Sequence, residues 1–233
     1  MKHLTKQLWN HQAKFHYFAR HTSGALFHGG MGVGKTLSAL SVMPPEAGRR
    51  YLIVCPKVMM QTWQAEIKDC VAGDYKTVVL NHTRMDSKAD ALSLALVLPQ
   101  ATYVIVNYES VWRVQLASLV LGTEWDVVVS DECHRIKSPS SKQSRFMEKL
   151  GKVARKRIAL SGTPFPQGPL DAFGIYRFLD EGVFGKSFYP FRNRFAIMGG
   201  FGGKQVIGYQ RTDELNRKIN SIRFYAGRDL LDL

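Results

Sequence analysis

A glycine-rich segment near the amino terminus has the residue types and spacing that bind phosphate groups. Residues 29–36 read Gly-Gly-Met-Gly-Val-Gly-Lys-Thr, a glycine, four free positions and then Gly-Lys-Thr. The glycines let backbone N–H groups turn inward around a β-phosphate, Lys35 would reach the β- and γ-phosphates, and the Thr36 hydroxyl would ligate magnesium. The segment therefore predicts binding of a nucleoside triphosphate with Mg²⁺. The predicted contact residues are Gly30, Met31, Gly32, Val33, Gly34, Lys35 and Thr36.

Two adjacent carboxylates would supply the second half of such a site. Asp131 and Glu132 follow an apolar run, residues 125–130, that has the composition of a buried strand. We expect Asp131 to hold magnesium through water and Glu132 to polarise the water that attacks the γ-phosphate. An acidic pair after a strand is often only a solvated loop, but the phosphate-binding segment upstream favours the catalytic interpretation. The predicted catalytic residues are Lys35, Asp131 and Glu132.

The charge balance points to a polyanionic partner. The 233 residues carry a formal net charge of +13, whereas a nucleotide alone needs only one or two cations. Nucleic acid is the polyanion that explains the excess most simply. The alternatives are that the excess serves solubility or reflects a generally basic proteome.

The sequence has no feature typical of an exported or membrane protein. Its three cysteines form no close pair, which fits a reducing compartment. The first six residues lack the apolar core of a secretory signal, and the longest apolar run, residues 91–98, is too short to cross a bilayer. We therefore expect an intracellular protein of the cytoplasm, nucleoid or nucleus, neither secreted nor inserted in a membrane.

Short apolar runs alternate with helical patterns over the first two thirds of the chain. This alternation predicts a mostly parallel sheet with helices on both faces, and the length allows one large α/β domain with a small appendage. The predicted strands are Ala25–His28, Tyr51–Cys55, Thr77–Leu80, Tyr103–Asn107, Trp125–Ser130 and Arg157–Leu160. The predicted helices are Lys35–Met43, Met59–Val71, Asp86–Leu98, Glu109–Leu121 and Ser141–Leu150.

The sequence changes character beyond Leu160. Prolines at 164, 166 and 169 precede aromatic-rich helical patterns at Asp171–Leu179 and Ser187–Met198. The cluster Gly199–Gly203 then predicts a turn or flexible tip, followed by a short strand at Gln205–Tyr209. The aromatic side chains predict the core of a helical appendage, with a base-stacking platform as the alternative. They are Phe173, Tyr176, Phe178, Phe188, Tyr189, Phe191 and Phe195.

Several segments together resemble the Swi/Snf-type DNA-dependent ATPases of helicase superfamily two. Residues 131–134, Asp-Glu-Cys-His, resemble the DExH box, and residues 161–164, Ser-Gly-Thr-Pro, resemble the third motif of that superfamily. Residues 52–56, with Trp63 and Glu66, are similar to motif Ia, residues 104–109 to the Ib region, and residues 8–12 to the glutamine motif. The resemblance covers nearly the whole chain in the right order, and it implies a RecA-like P-loop domain.

The resemblance also implies roles for further residues. Gln12 would hydrogen-bond the adenine edge and so favour ATP, unless it is an ordinary helix-surface glutamine. His134, Ser161 and Thr163 would couple the phosphate state to movement of the nucleic-acid face; Ser161 and Thr163 could instead only cap a turn. Nucleic acid would be contacted through its phosphates by residues that could each also be plain surface positions. These are Lys57, Asn107, Tyr108, Arg135 and Lys137.

Two departures from the family pattern concern single positions, and a third concerns a whole domain. Gly29-Gly30 stands where the family usually has an acidic pair, and Cys133 replaces the usual alanine. Nothing after Thr163 resembles the second RecA-like domain, and residues 221–230 resemble the stretch that precedes it. We therefore expect a RecA-like ATP-binding lobe at residues 1–164 and a helical appendage and connector at residues 165–233. A second lobe is expected in the same or another chain.

Taken with the resemblance, the residues predict the N-terminal ATPase lobe of an ATP-dependent DNA translocase or helicase-like protein. Without arginines from a second lobe, the isolated lobe is expected to hydrolyse ATP only weakly. An RNA helicase lobe remains an alternative, because the same first-lobe motifs would serve it. A nucleic-acid-binding regulatory module that does not hydrolyse ATP is the other alternative, and the intact Lys35, Thr36, Asp131 and Glu132 argue against it.

Overall fold

The computed structural model describes residues 2–227, which form a seven-stranded parallel sheet and a separate two-stranded hairpin. The strands are β1 (Gly24–Gly29), β2 (Arg50–Cys55), β3 (Tyr75–Val79), β4 (Ala101–Asn107), β5 (Trp125–Asp131), β6 (Ala154–Ser161), β7 (Ala196–Gly199), β8 (Gln205–Tyr209) and β9 (Arg223–Ala226). The large sheet has the order β3-β4-β2-β5-β6-β1-β9, and every neighbouring pair in it is parallel.

Eleven α-helices connect or flank these strands within residues 2–227. They are α1 (Asn10–Arg20), α2 (Lys35–Leu40), α3 (Met60–Cys70), α4 (Met85–Leu96), α5 (Tyr108–Val111), α6 (Val114–Leu121), α7 (Lys142–Val153), α8 (Ala172–Leu179), α9 (Glu181–Phe184), α10 (Phe188–Phe195) and α11 (Thr212–Asn220). No helix of the described residues combines the length and the apolar character that crossing a bilayer requires.

Alternate residues of the central strands pack into two hydrophobic cores, one on each face of the sheet. In β2, Leu52 and Val54 belong to one core, whereas Ile53 and Cys55 belong to the other. Helices α1, α2 and α3 contribute to the core that contains Ile53, and α4 to α8 contribute to the core that contains Leu52. Because both faces are covered, the strands need apolar residues at nearly every position. The predicted α/β class with helices on both faces is confirmed.

The six strands predicted for the sheet and the short strand predicted at Gln205–Tyr209 are all present, but several predicted helices have different bounds. The single helix expected over Glu109–Leu121 is two helices, α5 and α6, because Arg113 between them has extended backbone dihedrals. The helix expected over Ser187–Met198 ends at Phe195, because Ala196–Gly199 pairs with β8 in an antiparallel hairpin. The sequence analysis missed α1 and α11 as helices, and it missed β9, which pairs with β1 at the sheet edge.

The aromatic residues after Leu160 extend the core that contains Leu52. Phe173, Tyr176 and Phe191 are buried in the same cluster as Leu26 of β1, as predicted for a core rather than a stacking platform. Tyr189 is the exception, because 66% of it is exposed. The division of the chain near residue 164 stays a prediction, and residues 228–230 of the connector-like stretch lie outside the described residues.

Candidate nucleotide and nucleic-acid site

The predicted site residues converge at the carboxyl ends of the parallel strands. Pairing of β1 with β6 sets His28 beside Ser161, and pairing of β6 with β5 sets Leu160 beside Asp131. The loops that follow these strands are therefore neighbours. A Cβ atom added at Gly162 would lie 3.5 Å from the carbonyl oxygen of Gly29, so the third-motif loop packs against the start of the phosphate-binding segment.

The phosphate-binding segment forms an open loop between β1 and α2. Gly32 and Gly34 have φ angles of +82° and +69°, a region that suits glycine, and a Cβ atom at Gly32 would have nothing within 4 Å. The Lys35 ammonium donates to the carbonyl oxygens of Gly29 and Gly30 at 3.1 and 2.8 Å. Within residues 2–227 its only hydrogen-bond partners are these neutral carbonyls, which an incoming phosphate can replace.

Of the other residues in this loop, Met31 is 94% exposed, whereas the Val33 side chain is fully buried in the hydrophobic core. Any contribution of Val33 to nucleotide binding must therefore come from its backbone. Thr36 lies in the first turn of α2, directly after Lys35, where its hydroxyl is partly exposed.

Helix α1 braces the phosphate-binding loop from behind. Gln12 is almost completely buried and donates from Nε2 to the carbonyl oxygens of Val33 and Gly34, both at 3.4 Å. Its Oε1 accepts from the backbone N–H of Trp9 at 2.9 Å. His11 Nε2 contacts the same Val33 carbonyl at 2.9 Å. Gln12 is thus adjacent to the loop, and its amide is engaged with backbone groups of the loop.

Asp131 ends β5 in a buried position and is held by Trp63 of α3. The indole Nε1 donates to Asp131 Oδ2 at 2.9 Å, and the backbone N–H of Glu132 donates to Oδ1 at 3.0 Å. Burial raises the pKa of the Asp131 carboxyl above its ordinary value, opposed first by the hydrogen bond from Trp63 and more weakly by the charge of Lys35. The carboxylate is therefore oriented on its strand and lies within electrostatic reach of Lys35.

Glu132 is the centre of a polar network that contains all three predicted coupling residues. Its backbone has a φ of 49°, an uncommon conformation for a residue with a side chain. Its Oε2 accepts from Ser161 Oγ at 3.3 Å and lies 3.2 Å from His134 Nδ1. Ser161 Oγ in turn accepts from the backbone N–H of Thr163 at 3.1 Å. The structure thus brings the DExH box and the third motif into direct contact through Glu132.

The residues predicted to contact nucleic acid lie at or just beyond the carboxyl ends of β2, β4 and β5, and three of the five are engaged with carboxylates. Glu109 binds both Asn107 Nδ2, at 2.8 Å, and Arg135 Nη1, at 2.7 Å. Lys137 Nζ lies 3.2 Å from Asp171 Oδ2. Only Lys57 is exposed and has no carboxylate within salt-bridge distance in the described chain.

Tyr108 does not fit the predicted surface role. Its side chain is fully buried, and its hydroxyl donates to the carbonyl oxygen of Asp131 and contacts Ser130 Oγ, both at 2.7 Å. The ring is therefore unavailable for direct contact with nucleic acid in this conformation. Tyr108 instead fixes the backbone of Asp131 at the end of β5.

Sequence analysis missed Lys88, which lines a cleft of about 350 Å³ between these loops. Lys88 is only 6% exposed, and its Nζ donates to Ser110 Oγ at 2.6 Å. No carboxylate of the described residues lies within salt-bridge distance of it. Burial lowers the pKa of the ammonium, and the charge of Lys57 lowers it further. The spacing of Lys88, Leu92 and Ala95 on α4 follows a helical face, a signal that could have indicated its burial.

These features define a class of protein. A parallel α/β sheet that carries a Gly-Lys-Thr phosphate loop after β1, an Asp-Glu pair after β5 and a hydroxyl-bearing loop after β6 is the architecture of a P-loop ATPase domain. The SNF2-related domain family matches residues 6–222. The chain belongs to this family, as the motif resemblance predicted.

Known proteins support the same assignment. The chain is similar to the DNA repair and recombination protein RAD54 of Oryza sativa subsp. japonica, with 26% identity over 85% of this chain and 22% of that protein. It is 27% identical to the ISWI chromatin-remodeling complex ATPase ISW2 of Saccharomyces cerevisiae over 67% of this chain and 14% of that protein. The chain thus spans less than a quarter of the length of these relatives.

A solved structure shows the same fold. The Sulfolobus solfataricus SWI2/SNF2 ATPase core in complex with dsDNA superimposes with a TM-score of 0.74 at 22% identity, over 97% of this chain and 46% of that one. At this identity the likeness shows the fold, and it confirms the predicted RecA-like architecture.

Proposed function

We propose that the chain is an ATPase lobe that binds ATP with Mg²⁺ at the ends of β1, β5 and β6 and nucleic acid along the ends of β2, β4 and β5. The observation that carries the proposal is the placement of Lys35, whose ammonium donates to two backbone carbonyls, in the same loop cluster as the buried carboxylate of Asp131. A cationic glycine-lined loop beside two acids is suited to a triphosphate and its metal ion.

The residues present fit Mg²⁺ and ATP. Thr36 offers a hydroxyl in the first turn of α2 and Asp131 offers an oriented carboxylate, a hard-oxygen set of the kind that magnesium uses together with substrate phosphates and water. Bound magnesium would neutralise charge that develops on the transferred phosphoryl group. Gln12, at the back of the loop, is our proposed adenine contact. To bind the base, its amide would give up a hydrogen bond to a loop carbonyl and form one with the adenine edge.

Glu132 is the residue that we assign to water activation. Its carboxylate is about one third exposed, and Ser161 and His134 hold Oε2 in a fixed orientation. A partly exposed carboxylate held in this way can accept a proton from the attacking water. The same contacts couple Glu132 to the third-motif loop. Ser161, Thr163 and His134 would therefore respond when the Glu132 carboxylate changes its contact in the phosphate site.

For nucleic acid, we propose backbone contacts by Lys57, Asn107, Arg135 and Lys137, together with the buried Lys88. The net charge of +13 supports a polyanionic partner. Lys88 adds a more specific argument, because a buried ammonium with only a hydroxyl partner gains a charge-assisted hydrogen bond when a phosphate enters the cleft. We propose duplex DNA as the partner, acting with a second RecA-like lobe in the same or another chain.

Calorimetric titration of the chain with ATP in the presence and absence of magnesium tests the nucleotide site. Lys35→Ala should weaken binding at least about tenfold, because a hydrogen bond to a charged group contributes about 1.5–3 kcal/mol. The control is Lys149→Ala, which removes an exposed lysine of α7. Magnesium-independent binding, or equal affinity for the Lys35 variant and the control, would contradict the proposal.

Hydrolysis separates the proposed ATPase from a module that only binds. Assayed together with a second RecA-like lobe, Glu132→Gln should retain Mg²⁺-dependent ATP binding and lose nucleic-acid-stimulated phosphate release, because the amide cannot accept the proton of water. Parallel assays with duplex DNA, single-stranded DNA and RNA identify the partner. Stronger stimulation by RNA would support the RNA helicase alternative, and unchanged turnover of the Glu132 variant would refute its assigned role.

A further inference from the structure

The β7–β8 hairpin, residues 196–209, projects from the molecule and has no role in the nucleotide site. Its base is firmly attached: the backbone N–H of Gln210 donates to the carbonyl oxygen of Phe195 at 2.9 Å, and Phe195 is buried in the core. Arg194 and Glu214 form a double hydrogen bond, at 2.9 Å each, that fixes the preceding helix α10 to α11. The hairpin is thus a rooted projection.

The tip of this hairpin presents a single aromatic ring to solvent. Phe201 is 97% exposed and lies in a turn that the N–H of Gly203 closes on the carbonyl oxygen of Gly200, at 3.1 Å. Gly200, Gly202 and Gly203 all have positive φ angles. A glycine tip contributes little side-chain bulk of its own, so another molecule can approach the ring closely. Ile207, 64% exposed, extends the apolar surface along β8.

Between Glu181 and Asp213, the sequence around the hairpin carries cations and no acidic residue. Residues 182–212 contain five Lys and Arg residues and no Asp or Glu. Glu214 neutralises Arg194, but Lys204 and Arg192 have no carboxylate within salt-bridge distance in the part of the chain that the structure describes. Arg192 stacks on the ring of the exposed Tyr189, 5.2 Å from its centroid. Exposed rings among unpaired cations suit a polyanion that also offers apolar faces, which is the chemistry of nucleic acid.

The hairpin base is also next to the edge at which we place nucleic acid. Tyr209 packs on Gly168, where an added Cβ atom would lie 2.6 Å from the Tyr209 hydroxyl oxygen. Gly168 belongs to the turn that ends at Asp171, and Asp171 accepts from both the Gln167 N–H and the Lys137 ammonium. One short turn therefore connects the hairpin to a proposed phosphate contact of the DExH-box loop.

We propose that the β7–β8 hairpin is a second contact with duplex DNA, in which Lys204 binds a phosphate and Phe201 enters a groove and inserts against a base step. This inference rests on the proposed binding of DNA along the carboxyl ends of the strands. Apolar side chains of this kind unstack base pairs in other DNA-binding proteins when cations hold the flanking phosphates. The hairpin would anchor the duplex beside the proposed nucleic-acid contacts of the DExH-box loop.

Fluorescence anisotropy of the chain with a labelled duplex tests the contact. Phe201→Ala should weaken binding about tenfold, the range measured for loss of one aromatic–base contact, with an unchanged salt dependence. Lys204→Ala should instead make the negative slope of log K against log salt shallower by about 0.9, the value for one phosphate contact. Val114→Ala, at an 80% exposed position of α6, and Lys149→Ala are the matched controls.

A second measurement separates insertion from mere proximity. A duplex with 2-aminopurine should gain fluorescence when the chain binds, because the base loses its stacking partner, and Phe201→Ala should abolish the gain at saturating protein. Because Phe201 and Lys204 are both exposed, we expect Phe201→Ala and Lys204→Ala to fold as the parent does, and circular dichroism checks this. DNA binding that is equal for the hairpin variants and the controls would overturn this inference and leave the proposed function standing. A complete absence of DNA binding by the parent chain would overturn both.

Discussion

The hydrogen bond from Trp63 to Asp131 makes the stability of the protein depend on pH in a way that one substitution can reveal. Trp63 is 1% exposed, and its Nε1 lies 2.9 Å from Asp131 Oδ2. Trp63→Phe keeps an aromatic ring in the core and removes the donor. Burial already raises the pKa of Asp131, and the indole is the largest effect that opposes this rise. The variant should therefore raise the pKa of Asp131 further.

The size of the effect follows from the charge of the acceptor. A hydrogen bond to an ionised group contributes about 1.5–3 kcal/mol to stability, and one between neutral groups about 0.5–1.5 kcal/mol. Loss of the indole should thus cost about 1–1.5 kcal/mol more when Asp131 is ionised, a rise of about one pKa unit. The packing cost of the smaller ring is the same in both protonation states and cancels from the comparison.

The sign of the pH dependence is fixed by linkage. The folded state holds the Asp131 proton to higher pH than the unfolded state does, so this group lowers the free energy of unfolding as pH rises from its unfolded pKa to its raised folded pKa. In Trp63→Phe the upper end of this window moves to higher pH. The deficit of the variant should therefore be smallest in acid and reach its full value above the new folded pKa.

Urea unfolding followed by far-UV circular dichroism, from about pH 4 to pH 8, measures this difference. The matched control is Trp125→Phe, because the Trp125 indole is also buried and donates at 2.8 Å, but to the uncharged carbonyl of Val120. The control should show a deficit that is constant with pH. A constant deficit for Trp63→Phe as well would refute the argument that this hydrogen bond sets the ionisation of Asp131.

Three further predictions concern other parts of the site. Lys88→Met should leave the free energy of unfolding unchanged or raise it by about 1 kcal/mol, while weakening DNA binding about tenfold. Because the folded pKa of Lys88 is lowered, the parent should gain stability as pH rises toward the unfolded pKa of lysine, and the Met variant should not. Gly34→Ala should lower the unfolding free energy by about 1–2 kcal/mol, since φ at Gly34 is +69° and the added Cβ would lie 2.1 Å from Gln12 Nε2 of α1. Gly30→Ala should be nearly neutral in the same urea titration, because a Cβ added there would have nothing within 4 Å. Glu109→Gln should strengthen DNA binding a few-fold in anisotropy by releasing the guanidinium it holds, with Glu124→Gln, at the opposite edge, as the unaffected control.

Much of this fold could be predicted because buried parallel strands are continuous apolar runs. The six strands predicted for the large sheet exist for that reason. The seventh, β9, reads Arg-Phe-Tyr-Ala, and its four residues form a strand only because the edge of β1 lies beside them, which no local pattern records. The helix break at Arg113 was missed for a similar reason, since the apolar periodicity of α6 continues through it.

The candidate site divides along the same line. The loops that carry Lys35 and Asp131 could be placed from sequence, because a glycine pattern and a strand end are local features. The sequence could not predict which side chains of those loops reach solvent. Tyr108 follows β4 directly, yet its ring turns into the core to bind the Asp131 carbonyl. Lys88 lies outside every motif, yet it reaches the same cleft as Lys57.

The pairing of the surface cations suggests how the two halves of the site communicate. Arg135 and Lys137 lie in the turn that follows Glu132, and Glu109 and Asp171 hold them in place. Phosphates that replaced these two carboxylates would exchange one ion pair for another, so the net change in free energy at the surface would be small. The turn itself would nevertheless change partners, and it begins at Glu132, whose backbone is in a conformation with little freedom. A partner exchange three and five residues beyond Glu132 would therefore act on the orientation of the carboxylate that we assign to water activation.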